Sequence, residues 1–279
     1  MNFPGQRGAG VGAFSSRSSH KTTVSTVFLV VLAATVTGGV ASWLGSGSGF
    51  AVFVFVFGLY FTVLCLHEFA HAFTAHRGGD RSIAARGYLD LNPLRYMNPL
   101  FSLILPAIWL IIGGLPLPGG AVLVDRSAIR KRSTAALVSA AGPLMNVAAA
   151  AISLALVAAF EPTMTFGNAR WIDTTAPHWQ FWAGLSAFGF LQVAAAILNL
   201  IPVPGLDGYG IIEPYLRYET RQALDPIRPY GILAVFLLMA AFPPVRDGFS
   251  TLVDNVLSLG QQPNNSVFEG LSLFRFWSQ

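Results

Sequence analysis

Residues 50–76 read FAVFVFVFGLYFTVLCLHEFAHAFTAH, an apolar run whose last ten residues carry three histidines and a glutamate. The run is long enough to cross a bilayer, because about 20 apolar residues suffice for a helical span. A charged side chain inside hydrocarbon costs about 2.5–3.5 kcal/mol on insertion scales, so an ionisable group at that depth usually marks a site. Glu68 is the only glutamate before Glu161. This stretch therefore predicts a membrane helix that carries chemistry.

The polar residues of this run form the motif His67-Glu68-Phe69-Ala70-His71, or H-E-x-x-H. Two histidines four residues apart project from one face of a helix, so both imidazoles can reach one Zn²⁺ with the glutamate beside the metal. Zinc lowers the pKa of its water to about 7, and a neighbouring carboxylate can take the proton. The same motif also occurs in soluble helices with its side chains merely solvated or paired. The apolar context favours a metallohydrolase site.

The composition predicts a membrane protein. Hydrophobic residues make up 53% of the 279 and charged residues only 11%, whereas soluble domains are about 25% charged. The formal charge of +4 fits basic loops facing anionic lipid headgroups, so the lipid bilayer is an expected partner. Nothing in the sequence supports nucleic-acid binding. Cys65 is the only cysteine, so no intrachain disulfide can form, and its place on an apolar helix favours packing.

Five stretches are long and apolar enough to span a bilayer: residues 22–44, 50–76, 133–160, 178–202 and 229–243. A sixth stretch, 98–117, is interrupted by Pro106 and runs into glycines and prolines, a pattern typical of backbone that re-enters the membrane. The sequence thus predicts an all-α polytopic membrane protein with about five to six transmembrane helices. A re-entrant or short β element is expected between the zinc helix and the next core helix.

Basic residues predict the orientation, because Lys and Arg in short loops collect on the cytoplasmic side. They concentrate in the N-terminal arm and in segments 77–97, 125–132 and 203–228. Segments 77–97 and 125–132 can both be cytoplasmic only if 98–117 does not cross. We therefore expect a multi-pass protein of the cell membrane with a cytoplasmic N-terminus.

A catalytic zinc ion normally takes three protein ligands, so the two histidines need a third donor. The best candidate is Asp207 in the stretch NLIPVPGLDG, residues 199–208, where an apolar span breaks at two prolines. The predicted topology places this acid on the same side of the membrane as the histidines. Asp207 could alternatively cap a short helix, because an Asp-Gly pair also favours a turn.

These motifs resemble those of the site-2 protease family of intramembrane zinc metalloproteases. H-E-x-x-H, the later N-x-x-P-x-P-x-L-D-G segment and A-G-P-x-x-N at 141–146 occur in the family's order, and the resemblance covers roughly 60–215. It implies one zinc ion per chain held by His67, His71 and Asp207. It further implies that Glu68 is the general base and acid and that Asn199 holds the substrate or its oxyanion.

Several of these residues also have a plainer interpretation. Small residues such as Gly142 let membrane helices approach closely, and Pro143 can be a tolerated kink. Asn146 is expected to form a hydrogen bond between helices. Asn199 could instead satisfy a carbonyl that Pro202 or Pro204 leaves free.

The resemblance implies an intramembrane zinc metalloprotease that hydrolyses peptide bonds of transmembrane protein substrates with zinc-activated water. The competing interpretation is a non-proteolytic zinc-binding membrane protein, either an inactive relative or a transporter. A prenyl-protein type of membrane protease also uses H-E-x-x-H, but its expected third ligand is a glutamate on another helix. A homo-oligomer is compatible with the sequence.

These expectations divide the chain into five parts. A disordered cytoplasmic arm, 1–21, precedes a first transmembrane helix at 22–44. The metalloprotease core with both motifs spans 45–216. C-terminal transmembrane and interfacial helices follow at 217–260, and a tail at 261–279 ends the chain.

Overall fold

The computed structural model describes residues 24–45, 49–92 and 123–278, and most of them are helical. The helices are α1 Thr26–Trp43, α2 Gly49–Gly78, α3 Ser82–Ala85, α4 Arg132–Phe160, α5 Trp179–Leu200, α6 Asp207–Ile212, α7 Tyr218–Leu224, α8 Gly231–Ala241, α9 Pro243–Leu259 and α10 Ser266–Phe274. Two strands, β1 Thr163–Phe166 and β2 Ala169–Ile172, form an antiparallel hairpin. Short 3₁₀ turns lie at Arg126–Ala128, Glu213–Tyr215, Asp225–Tyr230 and Phe276–Ser278.

Five helical segments among the described residues are long and apolar enough to cross a membrane. They are α1, α2, α4, α5 and the segment Tyr218–Ala241, which joins α7, a 3₁₀ turn and α8. The prediction of an all-α polytopic membrane protein is confirmed. α2 and α5 are the most buried of the five and form the centre of the bundle, whereas the other three expose more apolar surface.

Glycines let the first two helices approach closely. A Cβ on Gly38 would lie 2.7 Å from the backbone nitrogen of Phe55, and one on Gly58 would lie 2.2 Å from Thr35 Oγ1. Water cannot drive helices together inside a membrane, so close van der Waals contact between small residues is the main source of attraction. α1 is thus packed along the helix that carries H-E-x-x-H.

One end of the bundle gathers the segments that the sequence analysis assigns to the cytoplasm, and we call it the basic end. Ser25 Oγ donates to Leu91 O, Arg86 donates to Leu123 O, and Arg126 pairs with Glu213. The start of α1 and segments 77–92, 123–132 and 203–217 therefore share this end. Residues 92 and 123 flank the sixth candidate span at 98–117, and they lie at the same end of the bundle. This agrees with the expectation from the basic residues that 98–117 does not cross the membrane.

The opposite end holds a hairpin that the sequence analysis missed. β1 pairs with β2 from Thr163–Ile172 to Phe166–Ala169, and the two-residue connection begins with Gly167 at φ +60. Gly167-Asn168 is a hairpin signal, because glycine adopts positive φ without steric cost. The tail, which carries no recognisable pattern in the sequence, contains α10, and α10 packs so closely that a Cβ on Gly270 would lie 1.9 Å from Ala183 O.

Three sequence-based expectations fall wholly or largely outside the described residues. They are the arm at 1–21, the sixth candidate span at 98–117, and the re-entrant or short β element between the zinc helix and α4. They stay predictions, as do the boundaries of the five parts of the chain.

Glu161 is a buried acid at the end of α4, outside the spanning segment. Its side chain is 5% exposed, and one carboxylate oxygen accepts a hydrogen bond from Ser266 Oγ at the start of α10. The other oxygen has no partner among the described residues. Burial raises the pKa of Glu161 to about 7, against weaker opposing effects of Ser266 and Arg170. The folded protein therefore keeps a proton there that the unfolded chain has already released.

Stability should consequently fall as pH rises from 4.5 to about 7, because the unfolded state binds fewer protons than the folded state in that window. Glutamine at position 161 cannot ionise, so Glu161→Gln should flatten this dependence. The stability of the variant relative to the wild type should therefore rise toward pH 8. Thermal unfolding in detergent across this pH range measures the effect. The exposed Glu219→Gln serves as control, and equal pH slopes for wild type and Glu161→Gln would contradict the assignment.

Candidate metal centre

Three donor side chains from distant parts of the chain meet at one point. His67 Nε2 and His71 Nε2 lie 3.1 Å apart. The carboxylate of Asp207 approaches both, at 3.2 Å from His67 Nε2 and 3.3 Å from His71 Nε2. His67 is 5% and His71 8% exposed. Each residue offers one ligand atom, and the three ligand atoms lie within 4.8 Å of one another, close enough to hold one metal ion.

Asp207 reaches the histidines because the chain folds sharply back after α5. α5 ends at Leu200, and α6 begins at Asp207 itself. A Cβ on Gly208 would lie 2.2 Å from Leu200 O, and one on Gly210 would lie 2.4 Å from Ser139 Oγ. Only glycine therefore allows α6 to start against the end of α5 while packing on α4.

The capping alternative for Asp207 does not describe this fold. The N-cap of α6 is Leu206, and no side-chain hydrogen bond caps the helix. Burial opposes ionisation of Asp207, but the charge of His71 and hydrogen bonds with both imidazoles outweigh it, so the pKa of Asp207 lies well below its usual range. An ionised carboxylate is the form that binds metal.

Hydrogen bonds orient both imidazoles with Nε2 toward Asp207. His67 Nδ1 lies 2.6 Å from Asn146 Oδ1, and His71 Nδ1 lies 2.6 Å from the carbonyl oxygen of Val138. Both partners are oxygens that only accept, so each Nδ1 carries the proton and donates it. Nε2 is thus the nitrogen that faces Asp207, and it can give its lone pair to a metal when the metal displaces the proton shared with the carboxylate.

A second layer of polar contacts holds Asn146. Its Nδ2 donates to Gln192 Oε1 at 2.8 Å, which links α4 to α5. The expectation of an interhelical hydrogen bond for Asn146 agrees with this contact, but the link onward to His67 was not foreseen. Gln192 was missed entirely, although an amide within an apolar span is a usable signal, since polar groups at membrane depth need partners.

Gly142 lies directly against the two imidazoles. A Cβ there would be 2.2 Å from His71 Nε2 and 2.4 Å from His67 Nε2. α4 thus crosses α2 at the metal-binding atoms, and only the absence of a side chain leaves room beside them. Two imidazole nitrogens and one carboxylate are the donor set of a catalytic zinc site with three protein ligands. The residues present therefore fit zinc.

Glu68 and Asn199, the two residues expected to act in catalysis, differ in how closely they approach the metal ligands along the chain. Glu68 is buried on α2 and lies three residues before His71, a spacing that makes the two side chains neighbours on a helix. Asn199 is buried in the last turn of α5, and its side chain makes no hydrogen bond to any described residue. Both roles stay predictions.

Ion pairs of the buried Glu213 with two partly exposed arginines hold the segment that carries Asp207. Glu213 is the residue directly after α6, and its carboxylate pairs with both Arg126 and Arg228. The Arg228 guanidinium also lies 5.3 Å from the centre of the Tyr209 ring. Glu213 thereby connects α6 to two arginines from different segments. Removal of one partner of such a network leaves an uncompensated buried charge, so α6 is held firmly.

Comparison with curated proteins finds relatives over nearly the whole chain. "Putative zinc metalloprotease Rip2" of Mycolicibacterium smegmatis is 40% identical over 260 residues, covering 91% of this chain and 94% of that protein. The protein of the same name in Mycobacterium tuberculosis is 40% identical over 261 residues, with the same coverage. YwhC of Bacillus subtilis, whose name has the same form, is 31% identical over 186 residues, or 64% of this chain and 76% of that protein. No family model and no solved structure matches the chain.

Gly142→Ala should lose most of the bound zinc while the helices remain folded. The added Cβ would collide with both Nε2 atoms, and it cannot move aside because it is fixed to the backbone of α4. Zinc per chain in detergent-purified protein, measured beside the circular dichroism spectrum, reports the effect. The control is Gly248→Ala, where a Cβ meets no heavy atom within 4 Å. Full zinc occupancy in Gly142→Ala would contradict this packing.

Asn146→Ala should weaken zinc binding by about 10–100-fold, the usual cost of losing a hydrogen bond behind a ligating histidine. Asn146→Asp keeps an acceptor for His67 Nδ1 and should stay closer to the wild type. Competition with a chelator of known affinity measures the change. The exposed Asn255→Ala controls for loss of an amide elsewhere, and an unchanged affinity in Asn146→Ala would show that this contact does not support the site.

Proposed function

The chain belongs to the site-2 protease family of zinc metalloproteases, and from that premise we propose that it is an endopeptidase that cleaves transmembrane protein substrates within the bilayer. The observation that carries the proposal is the convergence of His67 and His71 on α2 with Asp207 on α6 at one point. Chance motifs separated by 136 positions would have no reason to meet in this way.

His67, His71 and Asp207 are the proposed zinc ligands. When bound, zinc supplies Lewis acidity that polarises a carbonyl and lowers the pKa of water to about 7. The protein contributes fixed donor atoms, two imidazoles whose Nδ1 protons are held by Asn146 and Val138, and a low-dielectric surrounding in which electrostatic effects are strong.

Glu68 is the proposed proton carrier. Its carboxylate takes a proton from the attacking water and then delivers that proton to the leaving amine, so the same group serves as base and acid. Its burial beside His71 suits this role, because little bulk water competes for the proton. Asn199 is proposed to donate an amide N–H to the substrate or its oxyanion, a role that rests on the family resemblance.

The depth of the site restricts where a substrate is cut. His71 lies seven residues before the end of α2 at Gly78, which corresponds to about 10 Å along a helix axis. We therefore place the scissile bond about 10 Å inside the basic end, which the basic residues assign to the cytoplasm. A helical substrate hides its peptide bonds behind side chains and internal hydrogen bonds, so the cut segment has to unwind first.

The non-proteolytic alternative has no observation in its favour. A transporter would need further buried donors along a path. Over residues 24–45, 49–92 and 123–278, His67, His71 and Asp207 form the one group of three donors that could hold an ion. The prenyl-protein type of protease is likewise disfavoured, because its third ligand would be a glutamate and the donor here is Asp207.

Glu68→Gln should retain about one zinc per chain and lose cleavage by about 10²–10⁴-fold or more, because it removes the proton carrier and spares the ligands. His67→Ala and Asp207→Ala should lose zinc as well as cleavage. Metal analysis is paired with cleavage of single-span reporter peptides that carry a glycine-rich segment about 10 Å inside the cytoplasmic boundary.

Glu219→Gln on the exposed face of α7 provides the matched control and should cleave like the wild type. Normal cleavage by Glu68→Gln would refute the assigned mechanism. Zinc retained after Asp207→Ala would instead refute the ligand set while leaving proteolysis open.

A further inference from the structure

A cavity lies at the basic end, and none of the three candidate metal ligands lines it. It has a volume of about 630 Å³ and opens between the end of α2 and the chain leading into α4. Four cationic side chains and two threonines line it, and we call these six residues the basic pocket: Arg77, Arg81, Arg130, Lys131, Thr74 and Thr134. No aspartate or glutamate is among the residues that line the cavity.

Close backbone contacts hold the two walls of the basic pocket together. Gly79 has φ +121, and a Cβ there would lie 2.9 Å from Ala128 O. A Cβ on Gly78 would lie 2.8 Å from Thr134 Cγ2. The two glycines therefore let the end of α2 seat directly on the wall that carries Arg130 and Lys131.

Asp80 fixes this arrangement. Its side chain is 1% exposed, one oxygen accepts from Ser82 N and Oγ, and the other accepts from Asp125 N at 2.7 Å. The carboxylate is thus used to tie the two segments together and is buried behind the cavity. Four like charges are brought to one concave surface by contacts that do not neutralise them.

The cations of the basic pocket lack acidic partners. None of the four forms an ion pair with a carboxylate of the described residues, and the Arg77 guanidinium lies over the ring of Phe73, 5.0 Å from its centre. Arg126 and Arg228, at the same end of the bundle, are both paired with Glu213. Because four positive charges line the cavity, an anion that enters it is attracted by all of them.

The position of the cavity indicates where this anion comes from. It lies at the end of the spanning helix α2, where lipid headgroups are expected. Leu137 lines the cavity and is 53% exposed, and Leu144, two turns further along the same face of α4, is 55% exposed. An apolar stripe thus leads from the basic pocket into the bilayer.

We propose that the basic pocket binds the phosphate of an anionic phospholipid, with an acyl chain lying along Leu137 and Leu144. Arginine, lysine and threonine are suitable donors for phosphate oxygens. Basic pockets between transmembrane helices on the cytoplasmic side are known to take such headgroups. Binding itself does not depend on proteolysis.

The lipid would also stabilise the metal centre. Thr74 and Arg77 lie on the turns of α2 that follow His71, and Leu137 precedes Val138, whose carbonyl accepts from His71 Nδ1. A phosphate held by both walls therefore clamps the two helices on either side of that hydrogen bond. This consequence rests on the proposed function, whereas the binding site does not.

The test uses the zinc-loaded full chain in nanodiscs of phosphatidylcholine, with and without a fraction of phosphatidylglycerol. The anionic lipid should raise the thermal midpoint of the wild type by about 2–4 °C. Arg130→Gln/Lys131→Gln should lose most of this rise, and its affinity for phosphatidylglycerol in native mass spectrometry should fall about tenfold. Arg217→Gln/Arg246→Gln removes the same charge elsewhere and should respond like the wild type.

A variant that keeps the charge and a titration with inorganic phosphate distinguish the remaining explanations. Arg130→Lys/Lys131→Arg keeps the charge and should keep the response, which separates lipid binding from damage to the fold. Inorganic phosphate in pure phosphatidylcholine nanodiscs tests the other source of the same chemistry. A rise with phosphate but not with phosphatidylglycerol would overturn the lipid assignment in favour of a soluble phosphate. Equal responses of both glutamine pairs would overturn the pocket altogether and leave only general attraction to an anionic surface.

Discussion

The crossing of α2 and α4 at Gly142 is the contact on which the site depends. Inside a bilayer no water can satisfy stray polar groups, so two histidines on a membrane helix need partners supplied by the protein. α4 supplies them on both sides of this crossing, through Asn146 for His67 and the carbonyl of Val138 for His71. A side chain at 142 would push the helices apart and break both bonds. Packing and chemistry are therefore set by one residue.

The third donor depends on a different constraint, the sharp return of the chain after α5. Gly208 lies against the carbonyl of Leu200 and Gly210 lies against Ser139, so α6 fits tightly between α5 and α4. Glu213 then ties the far end of α6 to Arg126 and Arg228. Asp207 is thus held from both directions, and a ligand fixed in this way needs little reorganisation when it binds metal.

The cationic side chains at the basic end form two groups that differ in their acidic partners. Around Glu213 the arginines are neutralised within the protein and serve to position α6. In the basic pocket they are held together by Gly78, Gly79 and Asp80 but left without acidic partners. The first arrangement stabilises the fold by itself, whereas the second offers several positive charges to an anion. The two neighbouring groups of arginines therefore differ in their partners, a difference that their sequence does not reveal.

Much of this protein follows from its sequence alone, because span length, apolar content and motif spacing are local properties. They were enough to predict the membrane class, the five spanning segments among the described residues, and the donors His67, His71 and Asp207 as candidates. The hairpin after Glu161, the helix in the tail, the partners Gln192 and Val138 and the basic pocket were not predicted, although Gly167-Asn168 and Gln192 carried usable signals. Distance between helices was decided by the tertiary structure: whether Asp207 caps a helix or meets two imidazoles depends on how closely Gly142, Gly208 and Gly210 let three helices approach. Such contacts join residues far apart in the chain, and no local pattern of sequence encodes their geometry.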